Sequence, residues 1–441
     1  MSHIFNGGNA VYKISIMSII IQRAIILDPD SPHHNKIRDV HINKGIIHEI
    51  SAKRIEGKNT ISAKGMYLIP GMFDMRAHFN DPGFEQKEDI ESGCDVAKLG
   101  GFTGVALLPN TDPVTQSKGQ IEYLKRKSEP HLTDAFPMAA ITMDTQGESI
   151  TEMIDLHEAG AIAFTDGENT SWHTDVLLKA LIYVQKFKGL IINRPEDKML
   201  TRFGDMHEGV TSTMLGLKGM PSLAEELAIK RDLDILEYTG GKIHFSCIST
   251  SGSVNLIKEA KKKGLQVTCD VNVHHLIFDD TMLTDFDTNY KSNPPFRNKK
   301  DQKALINGIK DGIIDAIVSG HQPQDAENKN LEFDQAAFGL IGLQTFIPAF
   351  FMIQEQLEMV DVIKLISHNP RKILGLEPVS IVENATANMT LIDPKEEWIF
   401  DDKTNKSKSR NSPFFEKSLK GKVKAVFNGK KQYMDQFILA K

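Results

Sequence analysis

Apolar positions near the start of the chain fall in short runs separated by polar turns. Runs at 19–27, 40–42 and 46–50 are broken by Asp28-Pro29-Asp30-Ser31-Pro32 and by Asn43-Lys44-Gly45. Short apolar runs bounded by Pro, Gly, Asn and Asp are strand and turn signals, so a small antiparallel sheet is expected here. The same texture returns at 389–392, 423–427 and 437–439. Two β-rich ends around a different middle imply one small sandwich built from both termini.

The middle alternates between two periods. Strand-like runs at 103–108, 161–164, 190–193, 243–248, 266–271 and 316–318 are separated by amphipathic stretches such as 176–187, 222–238 and 253–263. The last of these opens after Ser249-Thr250-Ser251-Gly252, which is N-capping chemistry, and closes at Gly264. Lys258, Lys261, Lys262 and Lys263 then form a solvated helix end suited to the negative C-terminal dipole. Repeated strand–helix units predict a (β/α)8 barrel. An open doubly wound sheet is the rival, but no G-x-G-x-x-G follows the first strand. P-loop, H-E-x-x-H and G-x-S-x-G motifs are also missing from the sequence. The polar, basic-rich segment 401–412 reads as a mobile loop.

Composition narrows the function classes. A net charge of -6 gives no electrostatic reason to expect nucleic acid or an anionic membrane. Apolar stretches fall far short of a membrane span. Three cysteines, Cys94, Cys247 and Cys269, form no C-x-x-C pair and no disulfide framework, so the reducing cytoplasm is the expected compartment. Residues 1–16 contain Asn6-Gly7-Gly8-Asn9 and lack the regions of a signal peptide. They are expected to be a disordered extension, with Met17 competing with Met1 as the start. The division expected is a composite sandwich from 17–67 and 378–441 around a barrel at 68–377.

Leu68-Ile69-Pro70-Gly71-Met72-Phe73-Asp74-Met75-Arg76-Ala77-His78 resembles the first barrel strand of the amidohydrolase superfamily, which ends in His-x-His with both histidines on metal. The following Phe79-Asn80-Asp81-Pro82-Gly83 is similar to the dihydroorotase version of that strand. In order along the chain, Leu108-Pro109-Asn110-Thr111-Asp112-Pro113, Ala163-Phe164-Thr165-Asp166-Gly167, Gly219-Met220-Pro221-Ser222 and Lys291-Ser292-Asn293-Pro294-Pro295 resemble further dihydroorotase segments, of the type found in multifunctional complexes. The segment Ser407-Lys408-Ser409-Arg410-Asn411-Ser412-Pro413-Phe414 resembles the family's return into its sandwich. The resemblance covers nearly the whole chain from Met17 onward.

Carried over position by position, the resemblance implies a degenerate metal site. Arg76 stands for the first histidine, His78 keeps the second, and Asp166 stands at the bridging carboxylate, where one acidic residue of the usual pair is missing. Arg194 and Cys247 stand for the third and fourth histidines, and Gly320 for the catalytic aspartate. Guanidinium has no lone pair to donate and puts fixed positive charge where a cation would sit. The acid/base group is gone with Gly320. Positions that hold the substrate carboxylate in the family are Asn80, Asn110 and Gln324 here, with Asn293 kept. Two charged or chargeable grips have become neutral amides, which weakens carboxylate binding.

Blander readings stand beside these. His244, His274, His275 and His321 read as scaffold histidines, and Cys247 as a small buried apolar residue. Asp166 is expected to pair with Arg76 or Arg194, since an unpaired buried charge is costly. No cofactor is expected, although Cys247 as thiolate with His78 and Asp166 would leave a three-ligand set for a single zinc. The resemblance implies a homodimer and points to aspartate transcarbamoylase as a partner, because some pathway assemblies contain an inactive barrel that supports that enzyme. Three functions therefore compete. One is an inactive dihydroorotase homologue with a structural or regulatory task. Another is an active dihydroorotase interconverting N-carbamoyl-L-aspartate and dihydroorotate. The third, a different amidohydrolase using Cys247 as nucleophile, lacks an identified base.

Overall fold

The computed structural model describes residues 18–435. The extension at 1–16, the choice between Met1 and Met17, and the strand expected at 437–439 lie outside the described residues.

Eight strands from both ends of the chain form one sheet. Ser18–Ile26, Lys36–Asn43, Ile46–Ser51, Thr60–Ser62 and Tyr67–Pro70 come from the first part; Asn388–Phe400, Lys417–Asn428 and Lys431–Met434 come from the last. The two parts join where Tyr67–Pro70 runs antiparallel to Asn388–Phe400, with Ile69 opposite Thr390. Alternation sends Ile19, Ile21, Val40, Leu68, Met389, Leu391 and Phe427 into one apolar core. This is the small sandwich foreseen from the β-rich ends.

The middle closes on itself as a barrel of parallel strands. Met72–Ala77, Phe102–Leu107 and Asp134–Pro137 pair in sequence. Ile191–Asn193, Ile243–Phe245, Val267–Asn272 and Ala316–Val318 form a second parallel set. Parallel bridges complete the ring: Ala139 to Phe164, Phe164 to Ile191, and His321 back to Ala77. The run expected at 161–164 is therefore reduced to a bridge at Phe164, held by hydrogen bonds on both sides. The inside is filled by Phe73, Met75, Ala106, Met138, Ile192, Ala316 and Val318, so the barrel is a packed core with chemistry confined to the strand ends. Helices including Ile90–Gly100, Thr174–Val184, Ser222–Thr239 and Ser251–Lys262 cover the outside. The last is capped by Thr250, whose hydroxyl accepts from the Ser253 amide, as its sequence implied.

Segment 401–412 departs from the expected mobile loop. Ser409, Asn411 and Ser412 are buried. The Asn411 amide donates to the carbonyls of Gln322 and Gly339, and Ser407 donates to Glu88. Its polar composition satisfies the loops at the barrel mouth rather than water. Among the described residues no helix is long and apolar enough to cross a membrane.

Candidate functional site

The strand Met72–Ala77 runs out at the mouth of the barrel, and its end delivers Arg76 and His78, both buried. The guanidinium of Arg76 and the ring Nε2 of His78 both meet one carboxylate, that of Glu168; the His78 contact is 2.9 Å. Burial alone would push the Glu168 carboxyl up, but Arg76, His78 and Arg194 hold it well below the ordinary range. Burial and the Arg76 charge pull His78 down despite Glu168. A neutral imidazole facing an ionised carboxylate must donate, since the carboxylate only accepts. The proton therefore sits on Nε2 of His78, where a metal would need the lone pair.

Glu168 is aimed into the cavity by a clip. The side-chain oxygen of Asn110 accepts from the Glu168 amide at 2.9 Å, and its NH2 donates to the Asp166 carbonyl at 3.0 Å. The turn between them passes through Gly167 with φ 63, where an added Cβ would lie 1.8 Å from the Asn110 oxygen. Only glycine fits that turn.

Asp166 faces elsewhere. Its carboxylate accepts from the Thr142 amide at 2.9 Å and the Thr142 hydroxyl at 2.8 Å. Burial pushes its pKa up to about 6. The pairing expected between Asp166 and an arginine therefore falls to Glu168, two residues on, because the Gly167 turn swings that side chain into the barrel.

Arg194 follows the strand Ile191–Asn193 and is buried. It pairs with Glu196 and donates to the Glu168 carbonyl at 2.5 Å, so its charge also converges on the Glu168 turn. Glu196 in turn accepts from Thr201 and, at 3.4 Å, from Asn293. Arg194 lowers the Glu196 pKa against the effect of burial. Cys247 lies past the strand Ile243–Phe245; its amide donates to Asp270 at 2.6 Å, and burial pushes its thiol up to about 12. Gly320 has φ 60, and a Cβ there would lie 1.8 Å from the Asn272 side-chain nitrogen. Asn272 thus fills the space a side chain at 320 would enter.

Arg76, His78, Glu168, Cys247, Asn272, Asn293 and Gly320 line a cavity of about 10 Å³, room for about one water. The expected trio of His78, Cys247 and Asp166 is not assembled there, since Asp166 is turned to Thr142. Among the described residues no three His, Cys, Asp or Glu side chains are grouped to hold a metal ion. The substrate-carboxylate positions are also occupied internally. Asn110 clips the turn, Asn293 reaches Glu196, and Gln324 donates to the Phe338 carbonyl at 2.9 Å. Asn80 is buried, with its amide nitrogen unpartnered. His274 and His275 lie in the core, the first stacked on Phe278 and the second bonded to the Pro294 carbonyl. His244 bonds Thr268 and Asp270, and His321 accepts from the Gly342 amide. Glu168, Glu196 and Asn272 are the members that sequence reasoning missed. The signal for Glu168 was the acidic residue displaced past Asp166 by a glycine.

Comparison with known proteins agrees with this architecture. The model of the dihydro-orotase-like family matches residues 65–253. A dihydroorotase of Acetivibrio thermocellus is 39% identical over 411 residues, spanning 92% of this chain and 96% of its own. One from Carboxydothermus hydrogenoformans is 40% identical over 404 residues, spanning 89% and 94%. Among solved structures, the L-hydantoinase (dihydropyrimidinase) of Arthrobacter aurescens superposes with a TM-score of 0.81 at 19% identity, over 96% of this chain and 97% of its own. The dihydropyrimidinase of Brevibacillus agri gives 0.80 at 19% identity, over 96% of both. Those structures share the barrel and terminal sandwich. With such identity held across most of its length, the chain belongs to the dihydroorotase family.

Proposed function

We propose that this dihydroorotase-family barrel does not catalyse ring closure or opening, and serves pyrimidine biosynthesis as a structural or regulatory protein. Aspartate transcarbamoylase is the partner to test. The observation that carries the reading is the internal ion pair at the strand end, with Arg76 and His78 both on Glu168. Zinc requires lone pairs from neutral imidazole, thiolate or carboxylate. Arg76 has none, His78 spends its Nε2 on a proton, and the Glu168 charge is already balanced by Arg76. Burial keeps Cys247 a thiol. These residues do not fit a metal centre, and Gly320 supplies no group to move a proton.

The test has two arms. Zinc content of freshly purified protein is measured beside zinc-supplemented turnover in both directions. The expected outcome is substoichiometric zinc and no conversion of N-carbamoyl-L-aspartate above the blank. Stoichiometric zinc with turnover refutes the reading. In the second arm, purified aspartate transcarbamoylase is expected to co-elute with the chain; no co-elution and no change in its stability removes that partner.

The identity to proteins named dihydroorotase favours a second reading, an active enzyme. Under it, metal would have to displace Arg76 from Glu168, and the turnover arm decides.

A further inference from the structure

The seam between barrel and sandwich holds a cavity of about 180 Å³. A cavity of ~150 Å³ engineered into another protein takes up benzene, so there is room for one six-membered ring. The walls come from the end of the helix Ile90–Gly100, the helix Phe346–Phe351 and the strands Asn388–Phe400, Lys417–Asn428 and Lys431–Met434. Segment 401–412 closes one side with Lys403 and Lys406. None of these residues lines the strand-end cavity.

Two aromatic side chains on the wall are held in place. Trp398 donates its ring N–H to the Gly421 carbonyl at 3.0 Å and meets Phe400 edge-on. Tyr433 carries the Lys98 ammonium 5.7 Å from its ring centroid. Aromatic rings at a domain junction, with a few convergent polar groups, are the usual lining of a small-molecule site.

The polar groups divide into spent and unspent. Gln344 accepts from the Lys406 amide at 3.2 Å and donates to the Thr404 carbonyl at 2.8 Å. Asp435 is the one carboxylate on the wall, and Lys422 and Lys424 hold it at 3.1 and 2.7 Å. Glu396 pairs with the same two lysines, so these four charges balance. Lys403 makes no ion pair or side-chain hydrogen bond among the described residues, and Lys406 reaches only the Lys403 carbonyl at 3.3 Å. The Tyr433 hydroxyl has no hydrogen-bond partner among the described residues. Burial, then the charges of Asp435 and Glu396, push its pKa up, so it stays protonated and can donate. Two uncompensated cations and a phenol donor therefore stand beside two rings, with no carboxylate left free to oppose an anion.

We propose that this seam binds a small planar anion, a single aromatic or heteroaromatic ring carrying a carboxylate. The ring lies against Trp398 and Tyr433, and the carboxylate meets Lys403, Lys406 and the Tyr433 hydroxyl. The inference is independent of whether the barrel is catalytic.

Calorimetric titration of the full chain with benzoate tests it. One saturable site is expected, with a Kd in the millimolar range for so small a probe. Cyclohexanecarboxylate, which has the charge without the flat ring, and benzyl alcohol, which has the ring without the charge, should each bind at least ~10-fold more weakly. The chain has two tryptophans, so in Trp172→Phe the emission of Trp398 alone should change with the same midpoint. Lys403→Glu combined with Lys406→Glu should weaken benzoate by about 10-fold, and Tyr433→Phe by about 3- to 10-fold. Absence of saturable binding to the wild type overturns the proposal. So does binding that ignores ring or charge, that leaves Trp398 emission unmoved, or that survives both sets of substitutions. Should the lysine variant melt early, Tyr433→Phe decides, since it removes one unpartnered hydroxyl and nothing else.

Discussion

Glu168→Gln isolates the charge at the centre of the strand-end cluster. Glutamine keeps the size and an accepting oxygen but leaves the buried Arg76 guanidinium without a counter-ion. Removing one partner of a buried pair typically destabilises by ~3–5 kcal/mol. The Glu168 side chain is 24% exposed, so the lower end applies, about 3 kcal/mol. At ~2.1 cal/mol/K of unfolding entropy per residue, a 441-residue chain unfolding as one unit would melt about 3–4 °C lower. The assay is a calorimetric melt at pH 7, repeated downward in pH. Glu168 has a folded pKa below its ordinary 4.5. Its contribution is therefore fully present above that value and lost as pH falls through the folded one. The gap between variant and wild type should accordingly narrow progressively as pH falls below 4.5 toward the folded value. Arg76→Met with Glu168→Leu, which removes both charges, should be closer to wild type than either single change. A Glu168→Gln protein that melts with the wild type at pH 7, or whose deficit does not shrink in acid, refutes the ion pair as the element that holds the barrel mouth.

Other perturbations follow from the same contacts. Asn110→Ala removes the clip on the Glu168 turn and should lower stability by ~1–3 kcal/mol, read by urea unfolding; combined with Glu168→Gln, the losses should be less than additive. Gly320→Asp forces a side chain into the Asn272 amide at a positive φ. It should destabilise by at least ~2 kcal/mol and yield no turnover, so restored activity would count against the cluster described here. Because its thiol is buried and pushed up to about 12, Cys247 should resist iodoacetamide in the native protein at pH 8 and react in urea, as peptide mass spectrometry would show. Prolonged dialysis against a chelator should leave the melting temperature unchanged; a fall reversed by zinc would reinstate a structural metal.

The sequence alone determined the architecture and the strand-end positions. Period-two runs at both termini and strand–helix alternation between them are local patterns, and burial in the fold preserves them: Ile19 and Leu391 share the sandwich core, and Ala316 and Val318 the barrel interior. Arg76, His78, Arg194, Cys247 and Gly320 were placed by the resemblance of their segments to the family's strand ends. Tertiary structure decided which carboxylate meets the arginine. Glu168 enters the cavity through a positive-φ turn at Gly167 clipped by Asn110, 58 residues upstream, while Thr142 draws Asp166 away. It likewise decided that Asn272 fills the space beside Gly320, and that the polar run 401–412 seals the mouth by bonding Gln322 and Gly339. Hydrogen bonds between residues distant in the chain follow from barrel closure, and no local pattern of residue types encodes them.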